Sequence, residues 1–184
     1  AKPGLKGIVL SGGPASAYAD GAPDLPVEIL DAGVPVLGIC YGLQWLCETL
    51  GGRVVPGETR EFGFTELQVD DDHSLLAGVS KETVVWMSHG DRVSELPPGF
   101  VTIATSPNAP HAAIAHHESR IFGLQFHPEV THSVNGREIL RRFLFEICSC
   151  QSHWNAGNIV DQMVGAIRGT VGNDRVLLGL SGGV

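Results

Sequence analysis

Short apolar runs alternate with amphipathic stretches in the first fifty residues. Lys6–Ser11 contains the run G-I-V-L and breaks into the glycine loop S-G-G-P, which predicts a buried strand followed by a turn. Val27–Ala32 predicts a short helix that stops at Gly33. A second buried strand follows at Val36–Ile39, and apolar residues at helical spacing predict a helix from about Gly42 to Leu50. This order of strands and helices predicts an α/β fold with a mostly parallel open sheet and flanking helices.

The middle of the chain has shorter apolar runs separated by Gly, Pro and Asp. We interpret these runs as further strands with a hairpin or two: 53–55, 64–69, 83–87, 101–106, 112–115 and 121–126. Two polar segments follow such runs, W-M-S-H-G-D at Trp86–Asp91 and Q-F-H-P-E-V-T-H at Gln125–His132, and each is predicted at a strand end. A helix is predicted at Arg137–Ile147, packed on the sheet through Ile139, Leu140, Phe143, Leu144 and Ile147.

Composition narrows the class of protein. The 184 residues fit one domain with the edge of a second, and a net charge of −8 argues against nucleic acid as a partner. No apolar run is long enough to span a bilayer. The four cysteines lack the spacing of a disulfide framework, which favours a reducing, cytoplasmic setting.

Cys40 is the first candidate for chemistry. It ends a buried strand in the pattern G-I-C-Y-G, which is typical of a tight strand–turn–helix elbow that exposes a nucleophile. The positive end of the following helix is expected to lower the pKa of the thiol. The alternative is an inert, buried structural cysteine.

His127 and Glu129 are the second candidates. Pro128 keeps the backbone extended at His127, so residues 127 and 129 point to the same side and the carboxylate can orient the imidazole. Cys40, His127 and Glu129 would then be nucleophile, base and orienting group. A metal site is the weaker alternative, because the eight histidines show no H-x-x-x-H pattern or His/Cys cluster.

Four segments in order carry a family resemblance that covers nearly the whole chain: S-G-G-P, G-I-C-Y-G-L-Q, W-M-S-H-G-D and G-L-Q-F-H-P-E-V-T-H. Together they resemble the class I (triad-type) glutamine amidotransferases, and among these the amidotransferase domain of the GMP synthetase family. The resemblance implies that Cys40, His127 and Glu129 hydrolyse glutamine without a cofactor or metal. It also implies an oxyanion hole formed by Gly13 and Tyr41, and a glutamine pocket formed by Gln44, Ser88, His89 and Asp91.

The end of the chain, R-V-L-L-G-L-S-G-G-V, resembles the start of an ATP pyrophosphatase domain. We therefore predict an amidotransferase domain over residues 1–150 that lacks its N-terminal strand. Residues 151–184 would form a linker helix and the start of a second domain, with Ser181, Gly182 and Gly183 at the edge of an ATP-binding loop. In a longer protein the resemblance implies ATP, Mg²⁺ and xanthosine monophosphate as reactants, and it leaves room for a homodimer formed by regions outside this chain.

Two other functions remain open on sequence grounds. One is a different Cys-His-Glu hydrolase on a similar sheet, such as the glutaminase domain of another amidotransferase or a γ-glutamyl peptidase. The other is a binding or regulatory domain that kept the fold without catalysis. The pyrophosphatase-like ending argues against the peptidase, and three competent triad positions argue against an inactive domain.

Overall fold

The computed structural model describes residues 4–70, 75–152 and 156–177, with side chains given for all of these except 156–159. The chain divides into two compact units, Ala1–Cys150 and Gln151–Val184. In the second unit helix α3 spans Ala156–Val171. The predicted ATP loop residues Ser181, Gly182 and Gly183 lie outside the described residues. That the units are an amidotransferase domain and the start of a pyrophosphatase domain stays a prediction.

The described strands of the first unit form one seven-stranded sheet in the order β1-β2-β7-β6-β5-β3-β4. Their bounds are β1 Ile8–Leu10, β2 Val36–Ile39, β3 Arg53–Val69, β4 Glu82–Glu95, β5 Phe100–Thr105, β6 Ala113–His116 and β7 Ile121–Leu124. The predicted α/β class with flanking helices is confirmed. The sheet is mixed, however, because only β1, β2 and β7 pair in parallel and every other pairing is antiparallel. Turns rather than helices join β5 to β6 and β6 to β7, and so short a connection between neighbouring strands permits only antiparallel pairing.

The parallel part of the sheet holds the strand–turn–helix elbow. All four residues of β2 are buried, and helix α1 follows directly at Tyr41–Thr49. Two glycines allow helix α1 to approach strands β2 and β1 closely. A Cβ at Gly38 would lie 2.6 Å from the backbone of Gly42, and a Cβ at Gly42 would overlap the backbone oxygen of Leu10 in β1. The turn Val27–Ala32 before β2 is a short 3-10 helix, and it stops at Gly33, whose φ of 69° is left-handed.

Strands β3 and β4 form a long hairpin that the pattern of the sequence does not predict as such. The segment Trp86–Asp91, expected at a strand end, lies inside β4 and pairs with β3. In this register Glu61 is opposite His89 and Phe62 is opposite Ser88. The apolar pattern of a strand is missing from this segment because residues 88–91 of β4 line a cleft rather than the apolar core.

Helix α2 covers Gly136–Arg142 and continues as a π-helical turn over Phe143–Ile147. Ile139 and Phe143 are buried in the main core, and Leu140 and Ile147 pack at its edge. The prediction that Leu144 packs on the sheet is wrong, since Leu144 is 41% exposed. A π-helical turn adds a residue to the turn and rotates the following side chains away from the face that a regular helix would present.

None of the helices within the described ranges is long and apolar enough to cross a membrane.

Candidate active site

Cys40 sits at the carboxyl end of β2 in a backbone conformation that L-residues rarely adopt, with φ 50° and ψ −104°. Its backbone N–H donates to the Leu124 carbonyl of β7 at 2.7 Å. The thiol donates to the Ser88 carbonyl oxygen at 3.5 Å and accepts from the Gln125 side-chain amide at 3.8 Å. The elbow therefore directs the sulfur out of the sheet, toward the β3–β4 hairpin.

The thiol of Cys40 is protonated in the resting protein, because burial raises its pKa to about 11. The negative charges of Glu129 and Asp91 raise the pKa further, while hydrogen bonds from the Tyr41 backbone N–H and the Gln125 amide lower it. The expectation that the end of α1 would give a low thiol pKa is therefore wrong for this state, since desolvation outweighs the N–H groups. A thiolate at this position requires a base nearby.

His127 lies three residues beyond the end of β7, near the carboxyl ends of β1 and β2. Its backbone is held on both sides, since its N–H donates to the Trp86 carbonyl at 3.0 Å and its carbonyl accepts from the Ser133 hydroxyl at 2.6 Å. Its ring Nδ1 lies 2.7 Å from Glu129 Oε1. The described part of the chain offers no hydrogen-bond partner to the buried Nε2 atom.

Gly12 shows how close the imidazole and Cys40 are. A Cβ placed at Gly12 would lie 3.1 Å from His127 Cε1 and 3.6 Å from Cys40 Cβ. The loop after β1 therefore passes beside both residues, and only a glycine leaves the space open.

The two predicted oxyanion-hole residues are adjacent. Gly13 packs on the Tyr41 side chain, since a Cβ at Gly13 would lie 3.4 Å from Tyr41 Cγ. The Tyr41 backbone N–H points at the Cys40 sulfur, and the Tyr41 hydroxyl donates to the Pro23 carbonyl. The ring thus anchors the loop after β1 while the backbone N–H faces the thiol.

A cleft of about 750 Å³ opens over Cys40. It is lined by most of the predicted site residues, namely Gly13, Cys40, Gln44, Ser88, His89, Asp91 and His127. Glu129 is not among the lining residues, and it approaches His127 from the solvent side with 46% of its side chain exposed. The structure therefore brings these residues together; their roles in binding and catalysis stay predictions.

Several residues at the site are not identified as functional by the sequence analysis. Tyr18, Arg60 and Phe62 line the cleft, and the Tyr18 hydroxyl donates to Asp91 Oδ1 at 3.0 Å. Gln125 is fully buried beside the Cys40 sulfur. Its position directly after β7, at the end of the same strand that leads to His127, is the one signal that could have identified it.

Three of the residues predicted to bind glutamine are linked to one another. The Gln44 amide donates to the Asp91 carbonyl at 3.0 Å, and His89 Nδ1 lies 3.0 Å from the same oxygen. Both Gln44 and His89 are buried, with 3% and 5% exposure. The described residues contain no group of three or more His, Cys, Asp or Glu side chains placed to hold a metal ion.

Comparison with known proteins agrees with this geometry. The sequence profile of the glutamine amidotransferase class-I family matches residues 2–147. The chain therefore belongs to the class-I glutamine amidotransferase family, and the site described above lies within the matched region.

Within that family the chain is similar to proteins named GMP synthase [glutamine-hydrolyzing]. It is 55% identical to the one from Thermomicrobium roseum over 97% of this chain and 34% of that protein, and 50% identical to one from Stenotrophomonas maltophilia over 98% and 36%. The chain thus spans about a third of the length of these curated relatives. A solved structure described as a GMP synthase subunit from Thermoplasma acidophilum superposes with a TM-score of 0.70 at 31% identity, over 87% of this chain and 78% of that one.

Proposed function

We propose that this chain hydrolyses the side-chain amide of glutamine and releases ammonia, with Cys40 as nucleophile and His127 as base. The observation that carries the proposal is the state of the His127 ring. Glu129 holds Nδ1 at 2.7 Å, while the buried Nε2 has no hydrogen-bond partner among the described residues. A ring held at one nitrogen and free at the other is the arrangement that a general base needs.

In the proposed reaction His127 Nε2 accepts the thiol proton as Cys40 Sγ bonds to the amide carbon of glutamine. A base is required because burial raises the pKa of the Cys40 thiol to about 11, so little thiolate exists at neutral pH. The carbonyl oxygen becomes an oxyanion, which the backbone N–H groups of Gly13 and Tyr41 would stabilise. The carbon–nitrogen bond then breaks, and ammonia leaves with the proton that His127 returns.

Water completes the cycle by attacking the thioester. His127 takes a proton from the water, the carbon–sulfur bond breaks, and the thiol is regenerated as glutamate leaves. Glu129 keeps the Nδ1 proton in place and stabilises the imidazolium in both half-reactions. We place Gln44, Ser88, His89 and Asp91 around the amino-acid part of the substrate, and this step uses no cofactor or metal.

For the longer protein we propose that the ammonia converts xanthosine monophosphate to GMP at the expense of ATP, with Mg²⁺. The support is the name GMP synthase [glutamine-hydrolyzing] of two relatives that are 55% and 50% identical to this chain. Ser181, Gly182 and Gly183 would contribute backbone N–H groups to the pyrophosphate end of ATP. Dimerisation through regions outside this chain and a cytoplasmic location belong to the same proposal.

The test is alkylation by a glutamine analogue that carries a reactive carbon in place of the amide. Mass spectrometry of the digested protein should find the adduct on Cys40, and the adduct should disappear in His127→Ala. Cys47 is the internal control, since it is fully buried but its thiol contacts the Glu95 carbonyl rather than the cleft. An adduct on another cysteine, or none while glutamine turnover continues, would overturn the assignment of Cys40.

A further inference from the structure

A buried carboxylate–imidazole pair, Glu61 and His89, lies at the wall of the cleft, and neither the family resemblance nor the proposed reaction assigns a role to the pair. Glu61 Oε2 lies 3.0 Å from His89 Nε2, and the two residues are 8% and 5% exposed. They face each other across the β3–β4 hairpin, where β3 carries an irregularity just before Glu61. Burying a carboxylate costs free energy unless it is fully hydrogen-bonded. The burial of Glu61 therefore suggests that the pair has a specific role.

The His89 ring has no nitrogen left for a substrate. Nδ1 lies 3.0 Å from the Asp91 carbonyl, and because a carbonyl only accepts, Nδ1 carries a proton and donates it there. Nε2 faces the Glu61 carboxylate. In this arrangement the two nitrogens of the His89 ring contact the Asp91 backbone and Glu61, so the contribution of His89 to the glutamine pocket would pass through Asp91.

Glu61 is itself fixed from its other oxygen. Oε1 accepts from the Thr65 hydroxyl at 2.9 Å and from the Asn108 amide at 3.2 Å. With the His89 ring, three groups surround one carboxylate. The side chain is thereby locked, and so is the ring that it holds.

Asp91 is the element that this network positions. Its carbonyl receives both the His89 ring and the Gln44 amide, at 3.0 Å each, and its side chain is the only carboxylate among the described residues that line the cleft. Free glutamine carries an α-ammonium group, for which such a carboxylate is the complementary partner. The orientation of Asp91 thus bears on which substrates the cleft accepts.

We infer that Glu61 and His89 are positioning residues for substrate recognition: they hold the Asp91 backbone so that its carboxylate binds the α-ammonium group of a free α-amino acid. This inference rests on the proposed hydrolysis of glutamine. It assigns the network to binding and not to the chemistry at Cys40. It also predicts that free amino acids are preferred over amides that lack the α-amino group.

The kinetic test compares Glu61→Leu with Glu61→Gln. Leucine removes every acceptor at similar volume, and we expect KM for glutamine to rise about tenfold or more, because a hydrogen bond to a charged group is lost, while kcat changes less than about twofold. Glutamine keeps an oxygen for Thr65 and Asn108 and offers an amide N–H to His89 Nε2, so it should restore KM nearly to the wild-type value. Glu66→Leu is the matched control, because Glu66 is exposed on the same strand.

A double-mutant cycle separates positioning from general destabilisation. In an Asp91→Asn background, Glu61→Leu should raise KM by less than about twofold further, since the carboxylate that it positions is gone. Fully additive effects, or a fall in kcat at constant KM, would overturn the inference. If Glu61→Leu does not fold, Thr65→Val removes one donor to Glu61 at equal size and should give a smaller rise in KM, and an unchanged KM would count against the inference.

A spectroscopic readout keeps this inference distinct from the proposed function. The ¹⁵N signals of the His89 ring should show a protonated Nδ1 in the wild-type protein and lose that fixed state in Glu61→Leu, whether or not the protein turns over glutamine. Wild-type protein without glutaminase activity would refute the proposed function while the NMR result still tests the network. If the protein is active but the His89 ring signals are the same in wild type and in Glu61→Leu, the inference about the Glu61–His89 network is refuted and the proposed function is not.

Discussion

Gly12→Ala is a direct test of the geometry between Cys40 and His127. The new Cβ would lie 3.1 Å from His127 Cε1, closer than the roughly 3.5–4.0 Å at which carbon atoms attract. It would lie 3.6 Å from Cys40 Cβ, which is an ordinary contact. The imidazole is therefore the group that must move, and Glu129 would have to follow it to keep the bond to Nδ1.

The required shift is about 0.5 Å, from the contact observed to an ordinary one. A misplacement of about 1 Å costs about a hundredfold in rate, so we expect kcat for glutamine hydrolysis to fall about tenfold. The free energy of unfolding should change by less than about 1 kcal/mol, because alanine reduces the conformational freedom of the unfolded chain and this offsets part of the crowding. The variant should thus be folded but slow.

The assay is steady-state release of glutamate, with thermal unfolding measured on the same samples. Gly90→Ala is the matched control, since Gly90 also lines the cleft but its Cβ would meet the Arg60 side chain at an ordinary 3.7 Å. We expect kcat of Gly90→Ala to remain within about twofold of wild type. A Gly12→Ala variant with wild-type kcat would refute the argument that the His127 ring acts from its observed position, and equal losses in both variants would mean that any added methyl group disturbs the cleft.

Three further outcomes are expected. Glu129→Gln should lower kcat by about a hundredfold or more with little change in KM, because the amide can no longer stabilise an imidazolium at His127; steady-state kinetics measures this, and an unchanged kcat would remove Glu129 from the mechanism. Gly42→Ala should reduce the free energy of unfolding by about 3 kcal/mol or prevent folding, since its Cβ would overlap the backbone oxygen of Leu10; a variant as stable in urea as wild type would contradict the packing of β1 on α1. Burial raises the pKa of the Cys47 thiol from 9.0 to about 12. Above pH 9 the unfolded chain therefore binds fewer protons than the folded one, and the free energy of unfolding should fall as the pH rises toward 12. Urea titrations at several pH values should show a smaller fall in the free energy of unfolding for Cys47→Ala.

The local features of the site follow from the sequence because they depend on few neighbours. A nucleophile between two glycines at the end of an apolar strand fixes the elbow at Cys40, and the proline after His127 fixes the extended backbone that brings Glu129 to the ring. Each of these arrangements is determined by residues less than five positions apart. The α/β class could be predicted for the same reason.

The antiparallel half of the sheet could not be predicted in this way. Trp86–Asp91 contains no alternation of apolar and polar residues, and its place inside β4 depends on pairing with residues of β3 that lie 22 to 35 positions earlier in the chain. Glu61 would be assigned to the surface from its charge, and only this pairing reveals that it is buried against His89. Likewise, nothing in the pattern of Arg137–Ile147 shows that a π-helical turn will expose Leu144.

A buried thiol that keeps its proton at neutral pH is a poor target for peroxide, because oxidation to a sulfenic acid proceeds through the thiolate. With a pKa of about 11 and 5% exposure, resting Cys40 should outlast an exposed low-pKa cysteine under oxidative stress. Cys40 would become nucleophilic only when substrate is bound and His127 accepts the thiol proton. The burial that makes deprotonation of the Cys40 thiol harder thus also protects the thiol from oxidation between turnovers. It favours covalent inhibitors that enter the cleft as substrate mimics over general thiol reagents.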